Sequence, residues 1–197
     1  MRNLTFLFLL ILTGCHSGNK FMIKGNMQDA SSNGEYIFLV PLENSSIQRT
    51  DSVLIANGIF EFKGSAGAPE IYIVRAKPLL RLKLQELLVV KEPGVLNASI
   101  GNNSSIHGTA LNDSLQKWKE KKMMSDSIFY QLLAKYKSAD QTLQPLIKQE
   151  ADSLNSAILN FHYQFVRNNR SNVVGKFVSK MFGSSFTPEQ KKELGIQ

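Results

Sequence analysis

The chain has 197 residues, 43% of them hydrophobic, with 23 Lys and Arg against 16 Asp and Glu, a formal charge of +7 and a pI near 9.5. That length and apolar fraction exclude a disordered or fibrous chain. They leave room for one medium domain, or for a small domain with a helical subdomain. One cysteine in the whole sequence excludes an intramolecular disulfide and a Cys-x-x-Cys redox pair.

The first stretch, Met1–Cys15, reads MRNLTFLFLLILTGC. Arg2 supplies a basic start, Phe6–Leu12 an apolar run, and Leu12-Thr13-Gly14-Cys15 the ending. The run is too short for the ~30 Å of hydrocarbon in a bilayer, so it is a secretory signal and not a membrane-spanning helix. Its ending resembles the lipobox of bacterial lipoproteins. The resemblance implies that the Cys15 thiol is diacylglycerylated, that residues 1–14 are removed as a signal peptide, and that the new amino terminus is acylated. The mature chain then offers no cysteine nucleophile and no thiolate metal ligand. Buried acyl chains contribute about 0.8 kcal/mol per methylene, and two or more hold stably.

Residues 15–20 form the lipidated tether. Its five residues His16-Ser17-Gly18-Asn19-Lys20 reach at most ~18 Å, which keeps the folded part near the membrane surface. Behind a secretion signal the basic balance points to anionic headgroups, acidic glycans or plain solubility, and no nucleic-acid partner is expected. No acidic run follows Cys15, of the kind that resembles a surface-export signal in Bacteroidetes lipoproteins. His16 stands where the aspartate of inner-membrane retention would be. The expected place is the cell envelope, as an outer-membrane lipoprotein facing the periplasm.

Residues 21–110 read as a β-sandwich domain. Phe21–Gly25 opens it, a turn at Asp29–Gly34 follows, and Glu35–Leu42 is a β-branched and aromatic run closing at Pro41. Ser52–Ala56 and Ile59–Lys63 flank Asn57-Gly58, a pair that takes the positive φ angles of a type I′ turn, so a hairpin is predicted. Phe60 and Phe62 fall on one face, toward the core, and Ile59 and Glu61 on the other. Glu70–Lys77, Arg81–Lys91, Val95–Ile100 and Ser104–His107 complete the strands, separated by turns at Gly64–Pro69, Lys77-Pro78 and Glu92-Pro93-Gly94. Short strands with tight turns imply an antiparallel sandwich or open barrel.

Residues 111–197 change period to that of helices packed on or beside the sheets, giving an α+β fold: a helical hairpin and a short C-terminal helix. Asn112 or Asp113 can cap a helix from Ser114 to about Lys137, with Leu111, Leu115 and Trp118 as its first apolar stripe. Phe129, Leu132, Leu133 and Tyr136 resume that face. A second helix spans roughly Ala139–Asn168. Its seam Ile147, Ala151, Leu154, Ile158, Phe161, Phe165 is spaced for packing on a neighbour, and Pro145 starts or kinks it. A helix at Val173–Phe182 follows, and Thr187-Pro188-Glu189-Gln190 opens a final turn with Thr187 as cap.

Several stretches carry a family resemblance: Asp51-Ser52 through Asn57-Gly58-Ile59-Phe60-Glu61-Phe62-Lys63-Gly64 with Pro69-Glu70-Ile71-Tyr72, and Ile106-His107-Gly108-Thr109-Ala110-Leu111-Asn112-Asp113. With Phe165–Asn169 and Phe186–Gln190, they resemble the domain of unknown function found N-terminal to the thioredoxin-like domain of Bacteroidetes lipoproteins. The resemblance implies a β-sandwich followed by helices. The redox chemistry of such proteins belongs to the thioredoxin-like domain, which this sequence does not contain. The expectation is therefore a lipid-anchored, non-catalytic binding or accessory module. An accessory subunit of an envelope thiol–disulfide system with a thioredoxin-like partner is the alternative.

The remaining chemistry-bearing residues point the same way. His16, His107 and His162 are not spaced with another His, Cys or acid as metal ligands would be, so structural or surface roles are expected. There is no Gly-x-Ser-x-Gly elbow, no Gly-x-Gly-x-x-Gly and no phosphate-cradling Gly-Lys-Ser/Thr loop, and neither catalysis, a metal nor a cofactor is expected. Lys117, Lys119, Lys121 and Lys122 around Trp118 and Glu120 read as a solvated helix surface, or as membrane contact in which each basic residue near an anionic surface contributes about 1 kcal/mol. Asp-Ser-aliphatic recurs at Ser52, Ser114, Ser127 and Ser153. It resembles the O-glycosylation site of Bacteroidetes periplasmic proteins, and it also suits helix capping and amphipathic spacing.

Overall fold

A computed structural model describes residues 18–29, 32–75 and 86–196. Cys15 and the leader, part of the Asp29–Gly34 turn, the Lys77-Pro78 turn and residues 81–85 of the strand expected at Arg81–Lys91 lie outside those residues. Among the described residues eight strands come first: β1 (Lys20–Met27), β2 (Tyr36–Pro41), β3 (Asp51–Leu54), β4 (Ile59–Ser65), β5 (Glu70–Arg75), β6 (Leu87–Lys91), β7 (Gly94–Ile100) and β8 (Ser105–His107). Four helices follow: α1 (Ala110–Ser138), α2 (Gln144–Asn169), α3 (Val173–Phe182) and α4 (Pro188–Leu194). The strands form two separate four-stranded sheets, ordered β4-β1-β7-β8 and β3-β2-β5-β6, and not a closed barrel. Every pairing is antiparallel except β1 with β7, which run parallel. Local turns dictate antiparallel neighbours only; β1 and β7 meet after the chain has supplied all four strands of the other sheet.

Alternation in the sequence sets which face of each strand is inside. β1 buries Phe21 and Ile23 and exposes Lys20 and Lys24; β4 buries Phe60 and Phe62 and exposes Ile59 and Glu61. These side chains meet Ile37, Leu39, Tyr72, Val74, Leu87 and Val89 from the facing sheet in one core. Gly25 is required there, because a Cβ on it would lie 1.9 Å from the Phe60 ring.

β5 and β6 do not alternate. Ile71-Tyr72-Ile73-Val74 and Leu87-Leu88-Val89-Val90 are buried throughout. Tyr72, Val74, Leu87 and Val89 enter the inter-sheet core, while Ile71, Ile73, Leu88 and Val90 join Leu115, Trp118, Tyr163, Val166, Val174 and Val178 in a second core on the other face. A strand buried on both faces reads as a continuous apolar run. The helices are thus packed on the outer face of the β3-β2-β5-β6 sheet.

The Asn57-Gly58 turn forms, with φ of 54° and 72° and reciprocal backbone bonds between Ala56 and Ile59 of 3.0 Å. The predicted hairpin does not. β3 pairs with β2 and β4 pairs with β1, so the turn is a corner between the sheets. Ile55 and Phe60 both enter the same core, 1% and 2% exposed, and strands that approach one core from opposite sides belong to opposite sheets.

The helix ends also differ in part from the sequence reading. α1 begins at Ala110, with Thr109 at the cap position, not at Ser114; Asn112 sits inside the first turn because its side chain is used by β6. α2 begins at Gln144 and not near Ala139. Asp140 Oδ1 accepts hydrogen bonds from the Thr142 and Leu143 backbone N–H groups (2.9 and 3.0 Å) and from the Thr142 hydroxyl, closing a turn that separates the two helices. Pro145 lies in the first turn of α2 and starts it. α3 spans the expected residues, and Thr187 with Gln190 forms a capping box on α4. Of the second apolar face expected on α1, only Leu132 is buried; Phe129, Leu133 and Tyr136 remain exposed. The near half of the hairpin has sheet and α3 against it, whereas in the far half, among the described residues, each helix has only the other.

Candidate functional site

Trp118 on α1 is fully buried, and its indole Nε1–H donates to His162 Nδ1 on α2 at 3.2 Å. That bond fixes the tautomer: Nδ1 is the acceptor, so the proton of the neutral ring is on Nε2. Phe182, at the end of α3, stacks on the imidazole with ring centroids 3.8 Å apart and an interplanar angle of 27°. His162 is 2% exposed, and burial, aided by the positive charge of Lys122 and opposed by Asp126, lowers its pKa to about 4. At neutral pH the ring is uncharged. Its Nε2–H has no hydrogen-bond partner among the described residues and is not sealed from solvent.

The space it meets is a cavity of about 200 Å³ between α1 and α2. Phe129, Leu154, Ile158, Leu159 and Phe182 make apolar walls, and Ser125, Asn155, Lys122 and Asp126 are the polar lining. Lys122 and Asp126 form an i,i+4 ion pair of 2.6 Å, and the Lys122 ammonium also lies 5.9 Å from the Phe182 ring centre. The Ser125 hydroxyl donates to the Lys121 carbonyl at 3.0 Å. The cavity therefore presents the buried Nε2–H donor of His162, the Asn155 amide, hydrophobic sides and an internally neutralised pair of charges. Because the ring's lone pair on Nδ1 is engaged by Trp118, His162 has no free basic nitrogen. The arrangement suits binding better than proton transfer.

The lysines near Trp118 do not share one surface. Lys119 is 3% exposed, and its ammonium donates to the Ser104 carbonyl at 2.5 Å, tying α1 to the β7–β8 turn; burial lowers its pKa. Membrane contact by Lys119 is therefore excluded by its burial. Lys117 and Lys121 are exposed, and Lys122 is engaged with Asp126. His107 is exposed and lies 3.5 Å from Asp113, whose carboxylate accepts from the Gly108 N–H.

The four Asp-Ser serines are dispersed over β3, α1 and α2. Ser52, Ser127 and Ser153 are exposed, and Ser114 is half-buried. Ser153 donates to the Gln149 carbonyl and lines an open shelf of about 670 Å³ with Lys148 and Asp152, which pair with each other at 2.8 Å. Ser114 lines a shallow cleft over Trp118 with Lys117 and Gln164. Among the described residues no group of three or more His, Cys, Asp and Glu could hold a metal ion, and no helix is long and apolar enough to cross a membrane.

Sequence reasoning missed the cavity. Trp118 and His162 are 44 positions apart, and the Trp118–His162 contact exists only because α1 and α2 pack antiparallel. The residues that announce it in the sequence are a lone Trp and a His beside the expected seam residue Phe161. Asn112 was also misread. Its amide donates to the Val90 carbonyl and accepts from the Val90 N–H, both at 2.8 Å, and so occupies the outer edge of β6 as another strand would.

Residues 21–115 match a family described as a domain of unknown function (DUF4369). The match covers both sheets and ends in the second turn of α1. No curated protein and no solved structure matches the chain.

Proposed function

We propose that this chain, with its domain of unknown function at residues 21–115, is a lipid-anchored, non-catalytic binding module of the cell envelope, attached through Cys15 to the outer membrane on its periplasmic side. The observation that carries the binding role is the floor of the α1–α2 cavity: a neutral histidine whose only available group is a fixed N–H donor, set among apolar walls. A general acid or base needs a proton that moves near neutral pH. With a pKa of about 4 and Nδ1 engaged, His162 supplies direction and no proton traffic. The anchor is supported by the order of Arg2, Phe6–Leu12 and Leu12-Thr13-Gly14-Cys15. Tethering raises the local concentration of the module for a ligand or protein partner near the bilayer. The exposed Ser52, Ser127 and Ser153 are its proposed O-glycan acceptors.

The anchor is tested in cells of a lipoprotein-processing bacterium fed a clickable palmitate. The chain is expected to label and to fractionate with the outer membrane, and Cys15→Ala to lose both properties. Equal labelling of the Cys15→Ala chain, or none of the unaltered chain, would overturn the anchored reading.

A further inference from the structure

The ligand class of the α1–α2 cavity follows from its size, the buried donor of His162 and its charge balance. An apolar cavity of about 150 Å³ takes a benzene ring. At about 200 Å³ this one has room for a single ring with one or two small substituents. Phe182 stacked at 3.8 Å and Trp118 bonded at 3.2 Å fix the plane of the imidazole, so the Nε2–H points in one direction and asks for one acceptor. A water molecule alone would satisfy it but would leave Phe129, Leu154, Ile158 and Leu159 facing solvent.

Charge then narrows the choice. Lys122 and Asp126 neutralise each other at 2.6 Å, and among the described residues no further charged residue lines the cavity. An anionic or cationic ligand would bring a third, unbalanced charge against the apolar walls, and desolvation penalises that. We infer that the cavity between α1 and α2 takes a small uncharged ring compound bearing one hydrogen-bond acceptor, of which the phenols are the simplest class, with the acceptor on His162 Nε2–H and the ring among Phe129, Leu154, Ile158 and Leu159. This deepens the binding-module reading and rests on it.

The experiment uses p-cresol, toluene and benzoate as probes on the full chain, purified from its membranes in a mild detergent. Trp118 is the chain's one tryptophan and is bonded to the histidine at the floor, so its fluorescence, selectively excited, reports occupancy. p-Cresol is expected to give a saturable change. Toluene, which has no acceptor, is expected to bind roughly fivefold to tenfold more weakly, because it leaves the N–H unpaired. Benzoate is expected to be weaker by at least the same factor. His162→Phe removes the donor. Leu154→Phe keeps the Trp118–His162 pair and narrows the cavity, and it serves should the first variant fail to fold. Leu154→Phe is expected to abolish saturation. No saturable response to p-cresol, equal binding of toluene, tighter binding of benzoate, or a response that survives Leu154→Phe would each overturn the inference. A chain that labels with palmitate but ignores p-cresol sinks the ligand class and leaves the anchor standing; a chain that binds p-cresol but does not label does the reverse.

Discussion

His162 is held neutral by burial, with Lys122 adding to the effect and Asp126 opposing it, and its pKa falls from 6.5 to about 4. In the unfolded chain the ring takes up a proton as the pH drops below its ordinary value. The folded chain resists that until about pH 4. The histidine's contribution to stability is therefore complete above about pH 6.5 and is lost as pH falls from there toward 4, on the order of 3 kcal/mol in all. The expected outcome is a steep fall in melting temperature between pH 7 and 4.5 in the unaltered chain. It should be flatter in His162→Gln, whose amide oxygen can still accept from Trp118. Equal slopes for the two proteins would refute the assignment of this titration to His162. Lys119 shows the same physics on a cation: with Lys117, Lys121 and Lys122 it reads as part of a charged surface, but its stem is buried and its ammonium is spent on the Ser104 carbonyl.

Elements owe their ends to single side chains. Thr187 and Gln190 close α4 as the sequence pattern requires, because a capping box needs only residues three apart. Asn112 does something that no local pattern announces. It is fully buried, pairs with both backbone groups of Val90, and donates to the Thr109 hydroxyl at 2.8 Å, which in turn donates to Glu92 at 2.5 Å. It thereby closes the outer edge of β6 and fixes the first turn of α1 against it. Asn112→Asp can no longer donate to the Val90 carbonyl and adds a buried negative charge near Glu92. The expected loss is about 2–4 kcal/mol in a urea titration, with faster hydrogen exchange at the Val90 amide. A change below about 0.5 kcal/mol would show that the edge needs no such partner.

At the scale of the whole molecule, the two cores share β5 and β6. Removing the helices strips one side of that sheet and exposes Ile71, Ile73, Leu88 and Val90. Each such side chain contributes roughly 1.5–3 kcal/mol when buried, which together rivals the ~5–15 kcal/mol that holds an ordinary domain folded. A chain of residues 18–109 is therefore expected to be insoluble or to lack a cooperative thermal transition by circular dichroism. A soluble piece with a sharp transition would show that the sandwich stands without its helices. The same dependence explains the α4 contacts: Tyr163 on α2 donates to Glu193, which Arg167 also engages at 2.9 Å, so the last helix is fastened to the layer that covers the sheet.

The sequence by itself determined the features that depend on near neighbours: strand alternation in β1 and β4, the Asn57-Gly58 turn, the bounds of α3, the cap of α4, and the succession of sandwich and helices. The unbroken apolar runs of β5 and β6 also carried the mark of burial on two faces. Tertiary structure alone decided that the strands beside Asn57-Gly58 part into different sheets, that β1 runs parallel to β7, that Asn112 serves a strand edge, and that Trp118 and His162 meet over a cavity. The physical reason is range. Backbone angles and side-chain period act within a few residues, while sheet membership, buried hydrogen bonds and the pKa of an enclosed imidazole depend on what the folded chain brings alongside from far away in the sequence.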